Sequence, residues 1–318
     1  MTRRAFLRFC LGTAVASLHP GCLFAKSKTD FDDNLAVFLA DIHAGVDKRC
    51  ATARKMLKAA VAEILKMSPL PRNVIVFGDV AYTCGIGADY DFSRPLFKLL
   101  EDAGIAVTIG MGNHDRRGEY AKRWPDAAAK SLVPGRYVHL VETPYVDFLM
   151  LDSLQGTDER PLDDYGPGDG GLSEDQQEFL KASLSKRAKP VVICAHHKSS
   201  DLSVCGESLT DAFLKADCAV GYIHGHNHRW RRDWNRDKTQ KTPQRPKREL
   251  CLPSNGMWGD IGYAVCRIAP DKMVVEPVLK DFWLKKPVAA ENRPPEWDDM
   301  LAEARAAGPC TIRWTKRG

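Results

Sequence analysis

Several things are missing from this 318-residue chain, and each absence narrows the reading. None of its ten cysteines stands in a CxxC pair, so a zinc-ribbon reading fails. No repeat array or long low-complexity tract occurs, and no linker divides the chain into two domains. Strong charge of one sign is also missing. Lys+Arg number 46 against 41 Asp+Glu, a formal +5, which says little about partners. The apolar stretch Phe9 to Leu18 is too short for a helix that stays in a bilayer. What remains is ordinary soluble composition, 44% hydrophobic and 27% charged, with ample length for a buried core.

The N-terminus is set apart from the fold. Thr2-Arg3-Arg4-Ala5-Phe6-Leu7-Arg8 resembles a twin-arginine export signal, with cleavage expected near Leu23-Phe24-Ala25. This reading makes residues 1–25 a signal peptide, the twin-arginine machinery a partner, and the mature protein periplasmic or secreted. Loss of Arg3, Arg4 and Arg8 leaves 43 basic against 41 acidic residues, a charge near +2. His19 and Pro20 stand where a lipoprotein box has small or aliphatic residues, which argues against anchoring at Cys22.

Beyond the signal, apolar runs alternate with amphipathic stretches. Strands are expected at 35–40, 74–77, 105–111, 145–151, 191–194 and 219–223, then at 261–268 and 273–278. Helices are expected at 50–67, 93–103 and 119–128. Another should start at Ser173, with Gln176 at the capping-box position. Residues 156–171 read as a loop, and Arg229 to Glu249 as a basic stretch with no apolar face. The pattern predicts βαβ units, a mainly parallel sheet and a β-rich C-terminal part. Residues 30–285 are read as one domain and 286–318 as a peripheral segment. Cys194, Cys218 and Cys266 lie in strand-like runs and are read as small hydrophobes.

Five of the apolar runs end in residues of metal-ligand type. LAVFLA leads to Asp41 and His43, and VIVFG to Asp79. IAVTIGMG leads to Asn113-His114-Asp115, VVICA to His196-His197, and AVGYI to His224, His226 and His228. In open parallel sheets, ligands bind beyond the carboxyl ends of the strands. Asp41 and His43 on extended backbone would point the same way, as would His226 and His228. The donors are oxygen and nitrogen with no thiolate, which suits Mn, Fe, Zn or Co. Seven ligands exceed one tetrahedral shell, so two ions sharing a carboxylate are expected. His197 and His224 are read as supporting or core residues. Arg116 and Arg117 abut the site and are read as candidate phosphate contacts.

These blocks, D-x-H, G-D, G-N-H-D, a histidine after a strand and G-H-x-H, resemble in order the signature of calcineurin-like metallophosphoesterases. Arg117 after GNHD, Gly171-Leu172-Ser173, Gln176 and His196-His197 resemble the cyclic-nucleotide and glycerophosphodiester phosphodiesterase branch. Lys198 stands where that branch usually has proline. The resemblance implies a four-layer α/β/β/α sandwich. It implies one metal on Asp41, His43 and His228, another on Asn113, His196 and His226, and Asp79 bridging. It further implies a metal-dependent phosphoric ester hydrolase acting on a small phosphate ester, a phosphodiester foremost. A metal-bridging hydroxide would attack phosphorus in line, His114 would assist the leaving group, and Asp115 would orient His114. The alternatives are an exported nuclease that uses the basic 229–248 loop on nucleic acid, and a catalytically inactive metal-binding homologue.

Overall fold

The computed structural model describes residues 30–82, 84–155, 170–232 and 247–315. The export-signal reading, the loop at 156–169, Trp234 and most of the basic stretch lie outside these residues. The strands in chain order are β1 (Phe31–Leu39), β2 (Leu70–Val76), β3 (Ala106–Ile109), β4 (His139–Val141), β5 (Asp147–Met150) and β6 (Val191–Ala195). A short hairpin, β7 (Ser203–Val204) and β8 (Glu207–Ser208), precedes β9 (Ala219–His224) and β10 (Arg248–Cys251). The last three are β11 (Gly259–Ala269), β12 (Lys272–Trp283) and β13 (Cys310–Arg313).

One sheet runs β13-β12-β11-β1-β2-β3 and the other β10-β9-β6-β5-β4. The two sheets face each other, and alternation along β1 shows how the sequence demands it. Ala36 and Phe38 point into the core between the sheets, with Ile75, Phe77, Phe148 and Cys194. Leu35, Val37 and Leu39 point the other way, onto helices. Phe38 ties the layers, edge-on to Phe77 at 5.4 Å and to Phe148 at 5.5 Å. β1 is apolar on both faces because its sheet is covered on both, and it pairs parallel with β2 and antiparallel with β11.

The outer layers are helices. On the first sheet lie α1 (Ala51–Ile64) and α2 (Gly87–Asp102), burying Leu57, Val61, Phe97 and Leu100. Two short helices follow, α3 (Arg117–Arg123) and α4 (Pro125–Ala129). On the second sheet lie α5 (Glu174–Lys186) and α6 (Leu209–Lys215), burying Leu180, Leu209 and Phe213 against Val191, Ile193 and Tyr222. The four layers are therefore helix, sheet, sheet, helix, as expected.

Local expectations fail where tertiary context wins. The helix expected at 119–128 breaks at Trp124 (φ −128°, ψ 63°), because a residue before proline is pushed out of the helical region. The helix expected from Ser93 begins at Gly87 and carries Pro95 inside it. Gln176 does not close a capping box. Its amide instead brackets the backbone of Asp152, accepting from the N–H and donating to the carbonyl, both at 3.0 Å. The segment from 286 packs at the edge of the first sheet, and the chain from Phe31 on is one unit. There, α7 (Pro295–Ala307) packs Trp297 and Leu301 onto Ile261 and Phe282. β13 then adds an edge strand to the first sheet, Ile312 opposite Met273. Four residues of strand are too short to announce themselves in sequence.

Candidate metal centre

The five strand ends do converge, but by a different backbone route. Asp41, His43, Asp79, His226 and His228 all have positive φ, between 46° and 66°. They are not extended, as the two-residue spacing implied. Left-handed residues flanking an ordinary one bend the chain sharply while aiming both side chains at one point. Bonds across strands hold the bends: Asp41 N–H to the Gly78 carbonyl at 3.2 Å, and His43 N–H to the Asp79 carbonyl at 2.8 Å. The Asp41 carboxylate accepts from the His226 N–H at 3.0 and 3.1 Å. Gly78 and Gly112 are needed for a close approach. A Cβ on Gly78 would lie 2.6 Å from Gly112 N, and one on Gly112 would lie 2.2 Å from Asp79 Oδ1.

The donors form two sets. Asp41, His43 and His228 bring their ligand atoms within 4.8 Å of one another. In the other set, Asn113 Oδ1 is 2.9 Å from His196 Nε2 and 3.1 Å from His226 Nδ1. Asp79 Oδ2 stands between the sets, 3.5 Å from His43 Nε2 and 3.2 Å from His196 Nε2.

Tautomers follow from the partners behind the rings. His43 Nδ1 faces the Tyr82 carbonyl at 3.0 Å, His196 Nδ1 the Phe77 carbonyl at 2.8 Å, and His228 Nδ1 the Met257 carbonyl at 2.8 Å. A carbonyl only accepts, so each Nδ1 carries a proton, and each neutral ring turns a bare Nε2 inward. The Nε2 atoms of His43 and His228 meet at 3.4 Å, and His228 Nε2 also lies 3.2 Å from Asp41 Oδ1. Protons on His196 and His228, or a metal cation, would satisfy acceptors arranged this way, and the mixed O/N set suits the metals named above.

The titration of the site shows the same need for positive charge. Burial works to raise Asp41 and Asp79, yet neighbouring imidazoles outweigh it and hold both below the usual carboxylate range. Burial works to lower His196, yet Asp79 and Asp41 raise it to about 9. His228 is raised against burial by Asp41. His43 and His226 go the other way, pushed by burial to about 3 and about 4. The carboxylates thus draw protons onto two imidazoles, the compensation a cation supplies.

His114 sits at the edge of this cluster. Its ring stands edge-on to His43 at 4.8 Å, and its backbone N–H donates to Asp79 Oδ1 at 2.8 Å. The carboxylate of Asp115 serves the backbone. It is buried and accepts from the N–H groups of Ala81 (3.1 Å), Val80 (3.4 Å) and Gly112 (3.0 Å) and from the Tyr90 hydroxyl (3.0 Å). It clamps the turn carrying Asp79 to the turn carrying Asn113. The arginines are also engaged by the protein. Arg116 is buried and donates to the Cys84 carbonyl. Arg117 grips the buried carboxylate of Asp152 with two nitrogens, at 2.7 and 2.8 Å. Arg117 and Gln176, two residues of the branch motif, therefore meet at Asp152 and build scaffold.

His197 is buried behind the second set, its Nδ1 2.9 Å from Ser153 Oγ and its ring 4.7 Å from that of His226. His224 is buried with Nδ1 on the Gly225 carbonyl at 2.8 Å. Of the basic stretch, Arg229 pairs with buried Asp260 at 3.1 Å, and Trp230 is buried with its indole N–H on the Gly308 carbonyl at 3.0 Å.

The sequence reading missed the turn Ser254 to Trp258. Ser254 Oγ donates to the Asp41 carbonyl at 2.9 Å, and Gly256 N–H to the same carbonyl at 3.2 Å. Trp258 stacks on His228 at 4.9 Å and on His43 at 5.8 Å. The glycines at 256 and 259 were the available signal, but they mark only a turn. Among the described residues no helix is long and apolar enough to cross a membrane.

A protein-family model described as calcineurin-like phosphoesterase matches residues 36–230, more than half of the chain. Similar solved structures include TT1561 of Thermus thermophilus, with 9% identity, TM-score 0.48 and coverage of 74% of this chain and 94% of that one. The Thermus thermophilus sulfate thiohydrolase SoxB, in complex with glycerol, gives 12% identity and TM-score 0.43, covering 86% and 60%. The Haemophilus influenzae NAD nucleotidase gives 10% identity and TM-score 0.41, covering 86% and 66%. No curated protein matches the sequence.

Proposed function

We propose that this chain, which belongs to the calcineurin-like phosphoesterase family, is a dinuclear-metal hydrolase of phosphate esters, with phosphodiesters as its preferred substrates. The observation that carries the reading is the convergence of the Nε2 atoms of His43 and His228, 3.4 Å apart, beside the buried carboxylates of Asp41 and Asp79. In this reading Asp41, His43 and His228 would hold one ion and Asn113, His196 and His226 the other, with Asp79 available to both. Two such ions would supply Lewis acidity, balancing the charge of the phosphoryl oxygens and acidifying a water nucleophile.

The chain's own residues do the rest. Carbonyls of Phe77, Tyr82 and Met257 lock three imidazoles in the ligating tautomer. Asp115 fixes the separation of the two ligand turns. His114, beside His43 and outside both sets of three, holds a proton for the leaving oxygen. Substrate kinship with the cyclic-nucleotide and glycerophosphodiester branch stays part of the proposal, as does twin-arginine export to the periplasm. N-terminal sequencing of periplasmic protein tests the export, and an uncleaved cytoplasmic chain would overturn it.

The test of function is a panel on Mn-reconstituted protein: bis-(p-nitrophenyl) phosphate, p-nitrophenyl phosphate, cyclic AMP and a glycerophosphodiester. Hydrolysis of diesters above the monoester is expected. No turnover of any ester by protein holding two ions per chain would overturn the reading and favour the inactive homologue.

A further inference from the structure

Among the described residues, Trp258 is the one large aromatic side chain at the centre that stays substantially exposed, at 38%. The face turned inward lies nearly parallel to His228, at 16°, and to His43, at 26°. Its turn is fixed on both sides. Met257 N–H donates to Ser254 Oγ at 2.9 Å, and Asp260 N–H donates to the His228 carbonyl at 2.8 Å. An indole that served only to cover His228 gains nothing from remaining in water, where its apolar surface is costly. His43 has three ring neighbours, Trp258 stacked, His114 edge-on and His228 tilted at 5.2 Å. The indole and the proposed proton donor therefore flank the same imidazole.

We propose that Trp258 is the wall against which the ester's leaving group packs, and that it selects leaving alcohols carrying a flat aromatic ring. This rests on the reading of His114 as the residue facing the leaving oxygen. Stacking on an exposed indole is sequence-blind chemistry available to any planar group, and its loss costs about tenfold.

The test uses Mn-loaded full-length protein and two diesters of similar leaving-group size, methyl benzyl phosphate and methyl cyclohexylmethyl phosphate, with release of the ring-bearing alcohol measured. Trp258→Ala should lower kcat/KM about tenfold for the benzyl ester and less than about twofold for the cyclohexylmethyl ester, while Trp258→Phe retains the preference. Equal losses for both esters, or no loss for either, overturn the proposal; equal losses accompanied by lost metal reduce Trp258 to a support for His228. Calorimetric titration of benzylphosphonate against cyclohexylmethylphosphonate needs no turnover. Wild type that binds the benzyl ligand no tighter than the cyclohexyl one also overturns the proposal. A wild type that hydrolyses nothing yet shows the phosphonate preference would sink the phosphoesterase reading and leave the aromatic wall standing.

Discussion

The backbone N–H of His114 donates to Asp79 Oδ1 at 2.8 Å, so the same carboxylate that reaches both donor sets also positions the residue beside them. Asp79→Asn removes the shared charge and substitutes a donor for one oxygen. Activity should fall by more than about 10³-fold, and metal per chain, read by plasma emission, should drop below two. Turnover within about tenfold of wild type would end the bridging assignment.

His114→Ala should separate chemistry from metal binding. The two sets of three donors and Asp79 are untouched, so both ions should remain while kcat falls by about 10²–10⁴-fold. An equal loss of metal would make His114 a ligand, which its position near His43 and Asp79 permits geometrically.

Asp115→Ala strands the amides of Ala81 and Gly112 in a buried turn. Each orphaned donor costs about 1–3 kcal/mol, so urea unfolding should show a loss of about 2–6 kcal/mol. The pH–rate profile of the remaining activity should keep its shape. A shifted acid limb with unchanged stability would make Asp115 the orienter of His114.

His197 makes the fold acid-sensitive. Burial, with the imidazoles of His196 and His226, pushes it down to about 2, against about 6.5 in an unfolded chain. Between those values the unfolded state binds a proton that the folded state refuses. Its contribution is therefore fully present above pH 6.5 and falls by about 1.4 kcal/mol for each unit of acidification below that. His197→Gln does not titrate and still reaches Ser153. Between pH 6.5 and 5.0 wild type should lose about 2 kcal/mol more than the variant in urea titrations; identical losses would refute this.

The donors were legible in sequence because each closes an apolar run, and a run buried on both faces can end only where the chain leaves the sheet. Asp41, Asp79, Asn113, His196 and His226 all stand at such exits. Their backbone was not legible. Left-handed φ at a histidine leaves no mark when the bonds that impose it come from Gly78 and Asp79, far along the chain. The partners of Arg116 and Arg117, the Cys84 carbonyl and the Asp152 carboxylate, were not legible either. Asp152, Tyr90 and Trp258 come from segments with no motif, and only the folded chain brings them to the site.

The five left-handed residues set function against foldability. A non-glycine residue there costs about 1–3 kcal/mol, and glycine would relieve it. His226→Gly should thus unfold in urea no earlier than wild type when both are stripped by chelator, while failing to regain the thermal shift that added metal gives wild type. The sequence that folds most comfortably on this backbone is one without these side chains, and a bound cation would be what makes the uncomfortable sequence worth keeping.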